Sequence, residues 1–167
     1  MRRREGVRRL HLRELLKKLD QNLNIKIIYE IKSQKEIQMK IKFKRTELAS
    51  SIAPLMATAV NRSTVPAVEG ILIEAREPDT CIFTTYDLEK GIRTRVEAQV
   101  EEEGFNVVNA QKFFQTLQVL DGDEIEMIID EKLGVIITDG KSKFRMNALR
   151  GEDFPAVPSL KSQMGFF

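Results

Sequence analysis

The sequence predicts an α+β fold in which two strand-helix-three-strand units pack two helices on antiparallel sheet. Alternating apolar and polar residues mark strands around two segments of helical periodicity, and the breaks between consecutive strands are too short for crossover connections. The order strand, helix, three strands then occurs twice, a repeat carried by element order with little residue identity.

The first strand opens at Met39. In "MKIKFKR" the apolar Met39, Ile41 and Phe43 alternate with Lys40, Lys42 and Lys44, the period of a half-buried strand. Thr46 is placed to cap the helix that follows. In "ELASSIAPLMATAV" Leu48, Ile52, Leu55, Met56 and Ala59 share one face, and Pro54, lacking an amide proton, predicts a bend. After the loop "NRSTVP" come the strands "AVEGILIEARE", "DTCIFTTYDLE" and "GIRTRVEAQV", broken at Pro78-Asp79 and Lys90-Gly91. "EEEG" punctuates, and the order repeats. Strand "FNVVNA" leads into helix "QKFFQTLQVL", with Asn109 as its cap and Phe113, Phe114, Leu117 and Leu120 as its apolar stripe. Strands "DEIEMIID", "LGVIITDG" and "KSKFRMNAL" complete the unit.

Residues 1–38 differ from this body. They hold 11 Lys/Arg against 5 Asp/Glu, whereas residues 39–167 hold 16 against 20, so the net charge of +2 joins a basic leader to a mildly acidic body. Within the leader, Leu12, Leu15, Leu16 and Leu19 fit a short amphipathic helix ending before Asp20 and Asn22, and "IKIIYEIK" fits a strand. A basic helix of that length is marginal alone, so a flexible or loosely docked segment is expected. The leader lacks the apolar run of a secretory signal, and no segment approaches the roughly 18 apolar residues of a membrane span. The single cysteine, Cys81, excludes an internal disulfide and suits a reducing, cytoplasmic setting.

Catalytic chemistry is hard to assemble from these residues. Neither a GxxxxGK[ST] loop nor a GxGxxG turn is present, and the one histidine, His11, lies in the leader far from Cys81, so no cofactor or metal is expected. Cys81 reads as a core residue. The acidic runs "VEEEG" and "LDGDEIE" read as solvated turns, and Asp87 and Glu89 of "TTYDLEKG" as strand-end turn residues, because no nucleophile or base accompanies them.

Four strings in this order and spacing, "MKIKF", "NRSTVPAVEGILIEA", "TTYDLE" and "DGKSKFRMNALRGEDFPAVP", resemble the first domain of the bacterial DNA polymerase III beta subunit, the sliding clamp. The resemblance covers residues 39–167 and leaves the leader unmatched. It implies a non-catalytic processivity factor of the polymerase III holoenzyme: a ring of two subunits, each of three similar domains, with helices lining a hole threaded by double-stranded DNA. It further implies that Arg62 reaches DNA at the channel mouth, with Arg45 and Lys112 as further channel candidates; a solvated surface charge is the alternative for each. Ring closure in the family is head to tail. Lys141 and Lys143 then face acidic residues of the partner clamp subunit, with Lys112 close to the same edge, and Phe144 with Met146 supply the apolar centre, unless Phe144 is simply a core residue of a terminal strand. A basic interface position of the family is matched by Gly134, which has no charge.

The domain boundaries expected are residues 1–38 as a basic extension, 39–163 as clamp domain 1, and 164–167 as the start of a second domain. The family's cleft for the peptide motifs of the polymerase alpha subunit and other factors lies on its second and third domains, so that pocket is not expected here. Two readings compete with a clamp fragment: a regulatory fragment capping a full-length clamp through Phe144 and Met146, and a nucleic-acid-binding module working through the basic leader. Met39-Lys40 occupies the place where the family's chain begins, and Lys35-Glu36 can be encoded as the purine-rich AAG GAG. Met39 is therefore expected to be the true start, with residues 1–38 as upstream sequence read as protein.

Overall fold

The structure, a computed structural model, describes residues 17–19, 21–26 and 37–158. By contact the chain divides into two units, Met1–Glu36 and Ile37–Phe167. In the first, residues 17–19 and 21–26 are helical, with Leu19, Leu23 and Ile25 exposed. Helix therefore extends beyond Asn22, where an end was expected, and includes Ile25 and Lys26 of the expected strand. Leu19 and Leu23, four apart, continue the helical stripe. Leu12, Leu15, Leu16 and residues 27–32 of that strand lie outside the described residues, as do residues 159–167, where a second domain was expected to start.

The second unit follows the duplicated order. β1 (Ile37–Lys44), α1 (Arg45–Ile52), β2 (Gly70–Arg76), β3 (Thr80–Tyr86) and β4 (Gly91–Glu97) form the first half. A short β5 (Gln99–Glu102) intervenes before β6 (Gly104–Asn109), α2 (Ala110–Val119), β7 (Glu124–Asp130), β8 (Gly134–Thr138) and β9 (Lys143–Arg150). The alternation of β1 is real in burial: Met39, Ile41 and Phe43 are buried, while Lys40 and Lys42 project from the opposite face. There both ammonium groups reach Glu101, at 2.6 and 2.7 Å. β1 begins two residues before Met39, with a register irregularity between Ile37 and Met39.

Local departures from expectation have physical causes. Thr46 is not a cap, because Arg45 already opens α1 and places Thr46 inside the first turn; the Arg45 amide, one of the donors with no partner inside the helix, donates to the carbonyl of Asp123 in the α2–β7 loop at 2.8 Å. Beyond Ile52 the chain tightens into 3₁₀ turns over Ala53–Ala57, as the missing amide of Pro54 requires. A second 3₁₀ turn, Pro66–Glu69, delays β2 to Gly70. Asn109 does cap α2, its side chain accepting from the amide of Lys112 at 3.0 Å.

All nine strands form one antiparallel sheet in the order β4-β3-β2-β6-β9-β8-β7-β1-β5. Its two ends, β4 and β5, are consecutive in the chain and separated only by Ala98. The run "GIRTRVEAQV", expected as one strand, breaks there because Ala98 donates to Asp79 O and Val100 to Pro78 O, which swings the chain from β3 toward β1. β9 makes the same crossing in the second unit: Lys143–Asn147 pair with β8 and Ala148–Arg150 with β6. The sheet thus closes on itself. Three strands lie between the two crossing strands in either direction.

One apolar core fills the space between this circuit and the helices, drawing on β1, α1, β2, β3, β6, α2, β7 and β8. Phe83 of β3 stands at its centre, its ring 5.8 Å from Phe43 and 6.2 Å from Phe113, so a strand from each edge region and a helix meet on one side chain. A smaller cluster of Leu72, Tyr86 and Val107 is covered by Phe154 from the segment that follows β9.

Candidate functional site

Two kinds of surface stand out: the outer sides of α1 and α2 with their flanking loops, and the edges of the two crossing strands that have no strand partner among the described residues. The helices bury Leu48, Ile52, Phe113, Thr116 and Leu117 and expose Thr46, Glu47, Ser50, Lys112, Gln115 and Gln118. That outer side is mostly neutral and polar. Its cations are few, so the loops must supply the rest of any positive charge.

Arg62 is exposed in the loop between the 3₁₀ end of α1 and β2. The loop is tied down on both sides of it. Glu69 Oε1 accepts from the amide of Ser63 at 2.7 Å, and Ser63 Oγ accepts from the amide of Val65 at 3.1 Å. Arg45 is half-buried at the first residue of α1, and its Nε donates to Gly122 O at 3.0 Å, so its guanidinium is oriented by the α2–β7 loop. Lys112 is exposed in the first turn of α2, next to the capping Asn109.

The second surface is the edge of β9. Opposite β8, residues Lys143–Asn147 have no strand partner among the described residues, because β6 reaches only Ala148. Phe144 and Met146 lie across from Ile137 and Val135, half-buried and packed against the core, while Lys143, Arg145 and Asn147 are exposed. Phe144 therefore packs against the core from a strand whose outer edge is unpaired among the described residues. Lys141 is exposed in the β8–β9 turn, and Asn109 and Asn147 line one small cleft, which brings the cap of α2 to this edge. Gly134 has a local reason to lack a side chain. A Cβ there would lie 2.7 Å from the Asp130 carboxylate that accepts the Gly134 amide.

Two residues that organise these surfaces went unremarked in the sequence. Glu69 holds the Arg62 loop, and Asp139 braces the β8–β9 turn. The Asp139 Oδ1 accepts from the amides of Lys141 and Ser142 at 3.0 and 2.7 Å, and Oδ2 from those of Gly122 and Asp121 at 3.1 and 3.2 Å. These donors, Ser142 first, hold its carboxyl down to about 2. The pair Asp139-Gly140 announces a turn in sequence; the link to Asp121 and Gly122 has no sequence signal. Asp87 behaves as the strand-end turn residue expected, its Oδ1 accepting from Lys90 and Glu89 amides, which lowers its pKa. Cys81 is buried in the core, and burial pushes its thiol pKa up, away from the reactive thiolate.

Residues 39–158 match the family model described as DNA polymerase III beta subunit, N-terminal domain. The chain is 30% identical over 128 residues to the beta sliding clamp of Chlamydia muridarum, covering 77% of this chain and 35% of that protein. It is 28% identical over 127 residues to the beta sliding clamp of Streptomyces coelicolor, covering 76% of this chain and 33% of that protein. The crystal structure of the DNA polymerase sliding clamp from Bacillus subtilis superposes with a TM-score of 0.70 at 24% identity, over 75% of this chain and 35% of that one. The chain spans about a third of the length of these relatives. Through its β1-to-β9 body, the chain belongs to the DNA polymerase III beta subunit family, as a partial clamp matching the N-terminal domain.

Proposed function

We propose that residues 39–163 act as the first domain of a DNA sliding clamp, a non-catalytic, cytoplasmic processivity factor whose ring encircles double-stranded DNA. The observation that carries this reading is the pair of strand edges, on β4 and β9, that are unpaired among the described residues and set on opposite sides of a closed sheet. A unit with two such edges is a tile: sheet can continue through it in both directions, and repeated tiles close a ring. The β9 edge, with Lys112, Lys141, Lys143, Phe144 and Met146, is the surface for a second clamp subunit. Arg62, Arg45 and Lys112 contact phosphates, which supports binding independent of sequence. The polymerase III alpha subunit and the clamp loader are partners of the assembled ring.

The test is binding of the purified chain to a duplex, followed by fluorescence anisotropy across salt. Three phosphate contacts predict a slope of log affinity against log salt of about −3, the same for unrelated sequences. Sequence preference, or an affinity indifferent to salt, would sink the reading. The open β9 edge also favours a second use, capping a full-length clamp. Mixing the two proteins would then shift the ring toward a smaller species in size-exclusion chromatography, and an unchanged ring population excludes it.

A further inference from the structure

We propose that Asp139 is a positioning residue whose single carboxylate sets the ring-edge turn carrying Lys141 and the α2–β7 loop that orients Arg45. The inference rests on the roles given to Arg45 and Lys141 above. Its basis is a continuous set of bonds. Asp139 Oδ1 holds the amides of Lys141 and Ser142 at 3.0 and 2.7 Å, and Oδ2 holds those of Gly122 and Asp121 at 3.1 and 3.2 Å. The loop so held grips Arg45 twice: Gly122 O accepts from Arg45 Nε at 3.0 Å, and Asp123 O from the Arg45 amide at 2.8 Å. Contact is close enough to dictate composition, since a Cβ on Gly122 would lie 2.7 Å from the Cβ of Asp139.

The turn itself is shaped for this. Gly140 adopts φ of +87°, and the Thr138 hydroxyl donates to Ser142 O at 2.7 Å while accepting from the Gly140 amide at 3.1 Å. Its tip therefore holds the Lys141 backbone in place. The β7–β8 ladder, with Glu126 opposite Thr138, joins the strands behind the two segments, so displacing the carboxylate releases the turn tip and the loop from each other beyond the end of that ladder. Anything that loads the ring-edge turn, such as a partner strand on β9, is felt at the first residue of α1.

Amide hydrogen exchange on the full chain tests the positioning directly. Asp139→Ala is expected to accelerate exchange about tenfold or more at Asp121, Gly122, Lys141 and Ser142, and also at Arg45, whose amide touches Asp139 nowhere. Unchanged protection at Arg45 overturns the proposal. Should Asp139→Ala fail to fold, Asp139→Asn decides: one oxygen survives, so one pair of amides keeps its protection and the other loses it, and loss at Gly122 must be accompanied by loss at Arg45.

A double-mutant cycle on duplex-DNA affinity supplies the functional readout. Asp139→Ala and Arg45→Ala are expected to weaken binding by similar factors, with the double variant no weaker than Arg45→Ala alone. Additive losses overturn a role through Arg45. If Arg45→Ala leaves affinity unchanged, the DNA role of Arg45 falls, while the exchange result still decides whether Asp139 positions it.

Discussion

Asp139 and Glu69 do their work on backbone amides, and that determines how each should fail. A carboxyl depressed to about 2 from an ordinary 3.8 contributes stability that is fully present above the unfolded value and lost as pH falls through the folded one. Wild-type stability is therefore expected to decline through that acid window, and Asp139→Asn to flatten the decline when urea midpoints are compared across pH. Lys42, Glu124 and Glu126 line the same cleft, and Asp121, Asp123 and Lys141 flank it, but all are common to both proteins, so the difference isolates Asp139. For Glu69 the readout is DNA. Arg62→Ala should reduce the salt slope by about 1, and Glu69→Ala should weaken binding in the same direction by less, because it frees the loop without removing the charge. The loop that carries Arg62 was legible from "NRSTVP"; the hold of Glu69 on it was not, because nothing in "PAVEG" says that its side chain folds back six residues to Ser63.

At the scale of elements, the 3₁₀ end of α1 is fixed to β3 by a buried relay that no periodicity announces. Thr58 and Thr85 share a hydrogen bond of 2.6 Å, and Thr85 donates to the carbonyl of Leu55 at 3.0 Å. Thr85→Val keeps the shape and removes the bonds to Leu55 O and the Thr58 hydroxyl, which retain only the contacts between Thr58 and Leu55 O at 3.1 and 3.3 Å, so the change should cost about 0.5–1.5 kcal/mol in chemical denaturation. A loss below about 0.5 kcal/mol would mean that these groups find other partners. Strand type was well predicted here because alternation and burial agree along β1, β7 and β8. Boundaries were predicted less well. The split of β4 from β5 at Ala98 depends on amides that donate to Pro78 and Asp79, and α1 starts one residue before Thr46, where the Arg45 amide meets a carbonyl from a distant loop.

At the scale of the whole molecule, Phe83 joins the two halves, touching Phe43 of β1 and Phe113 of α2 in a core that spans both repeats. Phe83→Ala is expected to cost about 3–5 kcal/mol and to unfold the β1-to-β9 body as one cooperative unit. Separate transitions for the two repeats would contradict a shared core. The sequence by itself determined the α+β class, the doubled order of elements, the two apolar helix faces, and the division between a basic leader and an acidic body. These are readable because side-chain periodicity and charge are local properties of the chain. Only the tertiary structure decided that the sheet closes through Ala98, that β4 and β9 have edges open among the described residues, and that one carboxylate bonds both the turn of Lys141 and the loop that holds Arg45. Those are matters of which distant backbone groups meet, and a strand's alternation names its buried face without naming its neighbour.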